Sequence, residues 1–135
     1  MFYDFAITVP ANTLANTPLL TRLKLTQGYV TQVEVGFPPG CNGLVRARIT
    51  RGLNQVWPSN TEGYFGWDSF TVSYPEFYPL DTAPYELVCE TWSPGTTYAH
   101  TLTVRVGVTR GETILTQNPL GRALDRLLKA LRIGG

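Results

Sequence analysis

Residues 97–109 read TYAHTLTVRVGVT, and the fold of the chain is decided there. Tyr98, His100, Leu102, Val104, Val106 and Val108 occupy every second position, with Ala99, Thr101, Thr103 and Arg105 between them. Successive side chains of an extended chain leave opposite faces, so this alternation predicts a strand buried on one face along its whole length. Just upstream, residues 85–92 (YELVCETW) set Tyr85, Leu87 and Cys89 against Glu86 and Glu90. Ser93-Pro94-Gly95 lies between the two runs, and its turn chemistry predicts that they fold back on each other as a hairpin.

Moving toward the N-terminus, the residues at 75–84 (PEFYPLDTAP) include three prolines and predict an irregular loop. The stretch 64–74 (YFGWDSFTVSY) holds five aromatic residues, with Gly66 predicting a bend or bulge. A short strand is expected near 54–57. At 44–51 (LVRARITR), Val45, Ala47 and Ile49 alternate with Arg46, Arg48 and Arg51, giving one apolar and one basic face. The turn-forming run 38–43 (PPGCNG) separates it from 29–37, where Val33, Val35 and Phe37 share a face. Residues 19–26 (LLTRLKLT) and 3–9 alternate in the same way. The small polar linker 11–18 (ANTLANTP) frees the first strand to reach a distant neighbour, or to leave the domain as an arm.

About eight strands with turn signals between them predict an all-β fold. The expected form is an antiparallel two-sheet β-sandwich of jelly-roll or immunoglobulin-like topology. The pattern changes after Asn118-Pro119, where Leu120, Ala123, Leu124, Leu127, Leu128 and Leu131 recur at helical spacing. The opposite face carries Arg122, Arg126, Lys129 and Arg132. The expected organisation is a sandwich with its N-terminal arm over 1–110, a linker over 111–117 and a short amphipathic C-terminal helix over 118–133.

Composition narrows the function. The chain has 135 residues, 16% charged and 43% apolar, and a formal net charge of +1. That balance argues against a protein that binds nucleic acid by neutralising many phosphates. No stretch reaches the roughly 20 apolar residues of a membrane span, and the start of the chain lacks the pattern of a secretory leader, so synthesis and folding in the cytoplasm are expected. Cys41 and Cys89 are the only cysteines and are too few to hold a metal by thiolates. Two unpaired thiols are expected, with a single bridge as the alternative.

His100, the only histidine, stands on the apolar face of the strongest strand and is expected to be a hydrogen-bonded structural residue. Asp68, Glu76 and Asp81 could act as the paired acids of a glycosidase; capping or solvated carboxylates are the simpler expectation. No glycine-rich phosphate loop is present. Neither a catalytic set, a cofactor site nor a metal site is read, and the expectation is a protein that is not an enzyme and takes no small-molecule substrate.

Three surfaces remain as candidates. The aromatic residues between 57 and 78 fill the core, face a partner protein, or stack on sugar; Trp57, Trp67, Tyr78 and Trp92 are the surface candidates. The arginines at 46, 48 and 51 either attract an acidic partner or nucleic acid, or pair with Glu34 or with Glu86 and Glu90 across the sheet. The C-terminal helix covers its own sandwich, bundles with copies of itself, or lies on a membrane surface.

The stretch FYDFAITVPANT at residues 2–13, the compact sandwich, the low charge and the terminal helix together resemble small bacteriophage virion proteins, with capsid decoration or cement proteins the nearest comparison. The resemblance is architectural and spans the chain, and no family residue is carried over. It implies an assembly protein of the virion, made in the host cytoplasm, contacting other copies of itself (a trimer is the working stoichiometry) and a major capsid-type scaffold. Tyr3, Phe5 and Ile7 of the arm, with Leu120, Leu124, Leu127, Leu131, Arg122 and Arg126 of the helix, are the expected contacts. A carbohydrate-binding β-sandwich module using exposed tryptophan and tyrosine is the alternative.

Overall fold

The computed structural model describes residues 1–110. Eight strands run in order: β1 (Phe2–Val9), β2 (Leu19–Lys24), β3 (Gly28–Phe37), β4 (Arg46–Arg51), β5 (Asn54–Trp57), β6 (Phe70–Leu80), β7 (Glu86–Trp92) and β8 (His100–Thr109). They form two antiparallel four-stranded sheets, ordered β1-β8-β3-β6 and β2-β7-β4-β5. The helix expected over 118–133 and the linker before it lie outside the described residues.

Alternation in the sequence becomes burial on one face. Leu102, Val104, Val106 and Val108 are buried, as are Ile7 and Val9 of β1 and Leu87 and Cys89 of β7. Both sheets contribute to a single apolar cluster, with Val33, Val35 and Leu102 from one and Leu23, Ile49 and Leu87 from the other. The arrangement is thus sandwich-like. Strand β3 shows how local irregularity serves that core: Val30 and Val33 are both buried although they are an odd number of positions apart. The register shifts at Thr31 against both neighbours, which restores the inward direction after one extra residue.

Two expectations change. The hairpin expected between residues 85–92 and 97–109 does not form: β7 pairs with β2 and β4, and β8 with β1 and β3. Ser93 carries the chain from one sheet to the other, buried and tied to the linker after β1. Its N–H donates to Thr13 O at 2.8 Å, and its hydroxyl donates to Pro10 O at 2.8 Å. The loop expected over 75–84 is mostly strand, because β6 extends to Leu80. A sheet edge accommodates Pro75 and Pro79, since a proline's missing N–H costs no ladder bond when that position faces away from the neighbouring strand. The aromatic stretch 64–69 adds only one bridge, Ala47 to Phe65, with backbone bonds of 2.8 and 2.9 Å.

The first strand stays in the body. β1 pairs with β8 without interruption from Phe2 opposite Gly107 to Val9 opposite His100. The linker after it is pinned to the turn at 93–96: Asn12 N–H donates to Thr96 Oγ1, and Gly95 N–H donates to Asn12 Oδ1, both at 2.8 Å.

Candidate functional site

The aromatic candidates divide by depth. Trp57 (2% exposed) and Trp92 (5%) are interior, whereas Trp67 (49%) is open to solvent and Tyr78 is partly buried against the core. Trp57 is held by two contacts, an edge-on ring packing with Tyr78 at 5.3 Å and an indole N–H donated to Glu76 Oε2 at 2.9 Å. Phe65 and Tyr74 also pack against the core. Among the outer rings, Trp67 packs with Phe70 at 5.2 Å and Phe77 with the half-buried Tyr29 at 4.6 Å, while Tyr64 and Tyr98 are also exposed. Phe70 and Phe77 are both more than half exposed. Sequence reasoning placed them in the cluster without selecting them for the surface, because a strand at 70–80 was needed to orient them.

The arginines of β4 are occupied. Arg48 stands opposite Glu90 in the register and pairs with its carboxylate. Arg46 lies over the Tyr64 ring at 4.7 Å and Arg48 over Trp92 at 5.1 Å, so aromatic faces order both guanidinium groups. Arg51 donates to Pro79 O and Thr82 O, at 3.1 and 2.8 Å. Glu34 pairs elsewhere: Arg105 sits between Asp4 and Glu34, at 3.7 and 3.6 Å, in a row that crosses three strands.

Of the arm residues, Ile7 is core, while Tyr3 and Phe5 point inward but remain partly exposed, their rings stacked at 6.3 Å. They overhang the border of their sheet, where β1 has β8 as its one strand neighbour among the described residues. Phe2 beside them is exposed. The helix candidates Leu120, Leu124, Leu127, Leu131, Arg122 and Arg126 lie outside the described residues.

The titratable groups hold the fold. Asp68 Oδ1 accepts the backbone N–H of Gly40 at 2.9 Å and of Cys41 at 3.2 Å, closing the turn at 38–43. Glu76 accepts from Trp57 and from the Phe77 N–H. Both cysteines are free and buried. Burial, reinforced by the charge of Asp68, raises the Cys41 thiol above its ordinary value. Burial, reinforced by Glu90, pushes Cys89 up to about 12. Tyr74 is also shifted upward, by burial first and Glu76 second, and its hydroxyl has no partner among the described residues.

His100 departs from expectation. It is buried at 6% exposure with its ring 4.7 Å from that of Tyr98, yet neither ring nitrogen has a hydrogen-bond partner among the described residues. Among those residues, no group of three or more His, Cys, Asp and Glu side chains is placed to hold a metal ion. No helix there is long and apolar enough to cross a membrane.

Two concave surfaces lie among the described residues. An open groove of about 520 Å³ is lined by Met1, Gly28, Tyr29, Leu80, Asp81 and Arg110 among others. A shallow one of about 190 Å³ lies over Gly36, Thr71, Thr101 and Thr103 on the outer face of the first sheet. Compared with protein-family models and with curated proteins, the chain matches none.

Proposed function

We propose that this chain is a non-enzymatic assembly protein of a virion, of the capsid-decoration or minor-capsid kind, acting through contacts between subunits. The strand order carries the reading. The chain changes sheet at every connection except that between β4 and β5, which yields β1-β8-β3-β6 facing β2-β7-β4-β5. Of the two expected topologies this order supports the jelly roll, an eight-stranded fold made of two Greek keys that builds viral capsid domains. An immunoglobulin-like sheet pair has a different grouping of strands.

The surface agrees with that use. The exposed rings Trp67, Phe70 and Phe77 are the kind of anchor on which protein contacts concentrate. The C-terminal helix expected over 118–133 supplies a second contact, with its leucines against a neighbour and Arg122 and Arg126 on its outer face. Such a protein acts in the virion after synthesis in the host cytoplasm.

Lectins share the jelly roll, and the exposure of Trp67 favours sugar stacking as a second reading. The exposed pair is tilted by 43°, away from the planar row that a sugar ring covers best. Sedimentation of extracts from producing cells separates the two. The assembly reading predicts the chain in the fast fractions with other virion proteins, and no glycan binding that falls on Trp67→Ala. Recovery solely in the slow fractions, with saturable glycan binding lost in W67A, overturns it in favour of the module.

A further inference from the structure

Among the described residues the two sheets have four borders, and three of them are closed to further pairing. Strand β6 carries Pro75 and Pro79 and shifts register near its middle. Strand β5 is four residues long. Strand β2 presents Arg22 and Lys24 outward, which would set cations against cations in a symmetric pair. These are the devices by which sheet borders avoid unplanned pairing.

Strand β1 has none of them. Its eight residues pair with β8 in unbroken register and include no proline, lysine or arginine. Its one charge, Asp4, already faces Arg105. Its border is also apolar, with Phe2 exposed outside and the rings of Tyr3 and Phe5 partly uncovered inside.

We infer that β1 is the site at which a second copy of this chain adds, β1 against β1 in antiparallel fashion about a two-fold axis at Phe5. This deepens the assembly reading and rests on it. In that register Tyr3 faces Ile7 of the other copy, Asp4 faces Ala6 and Phe2 faces Thr8. Inward residues meet inward residues, outward meet outward, and the two Asp4 carboxylates are not opposed. A pair of identical patches closes on itself. The four strands of each copy join into one eight-stranded sheet, the backbone groups along β1 gain partners, and the rings of Tyr3 and Phe5 are covered. The contact is two-fold.

The full chain tests this by sedimentation and by cross-linking. Wild type is expected at a mass of at least two copies of 15.0 kDa, and Phe5→Lys is expected to reduce that mass by roughly half, since an inward charge on a border strand opposes pairing. Because F5K also touches the core, a second variant combines Asp4→Cys and Ala6→Cys, both on the outer face. Opposed across the axis, these positions lie within reach of a disulfide, and oxidation is expected to convert the protein to a covalent dimer. A wild type that stays at one copy overturns this contact; the assembly reading falls only if extracts of producing cells also hold the chain solely in the slow fractions. A multi-copy wild type that is unchanged by F5K and not trapped by D4C/A6C overturns the β1 contact alone.

Discussion

Trp57 links two layers of the argument. Its indole is buried while its N–H meets a carboxylate, so the residue fills core space and fastens β5 to β6 of the other sheet. Trp57→Phe keeps most of the ring and removes the donor, leaving Glu76 with one fewer partner. A hydrogen bond to a charged group contributes about 1.5–3 kcal/mol, and urea unfolding is expected to show a loss in that range without a change in slope. Cys89 makes a second prediction, through pH. Its thiol stays protonated in the folded chain up to about 12, against an ordinary value of 9.0. The unfolded chain therefore releases that proton first as pH rises, and stability present below 9 is lost progressively toward 12. Between those limits the wild type should lose about 1.4 kcal/mol per pH unit relative to Cys89→Ala, measured as the difference in slope of unfolding free energy against pH.

At the scale of elements, the sequence gives burial faces more readily than partners. The alternation at 100–109 and 85–92 marks which side chains enter the core, because that depends only on the period of a strand; Tyr98, expected on the same face, lies before β8 begins and is 60% exposed. It does not say that β8 lies between β1 and β3, since residues about a hundred positions apart decide this pairing. Sequence proximity favoured a hairpin, and Ser93, buried and bonded to the linker after β1, removes it. Strand β6 was hidden for another reason: its prolines signal a loop unless the strand is known to lie at a border. The candidate surface suffered from the same gap, because Trp57 and Trp92 could not be sorted from Trp67 before their strands were placed. Gly28 begins β3 with φ at +154°, and a Cβ there would come within 2.8 Å of the Thr109 carbonyl oxygen. The Thr109 carbonyl is backbone and the Val108 side chain beside it is buried, which leaves little room to yield. Gly28→Ala is expected to cost about 1–3 kcal/mol, seen as a lower denaturation midpoint with the fold retained.

For the molecule as a whole, the two sheets share one apolar core, and their borders differ in their readiness to pair. The C-terminal stretch adds Arg122, Arg126, Lys129 and Arg132 against Glu112 and Asp125, a basic segment on a nearly neutral chain. Basic arms and unblocked strand borders both suit a component that gains partners from its neighbours. Cryo-electron microscopy of particles purified from producing cells tests this account most directly. It predicts many symmetry-related copies of the eight-stranded body on the particle, each joined to at least one other copy. Particles without that density, together with the chain recovered solely as a soluble single copy of 15.0 kDa, would contradict it.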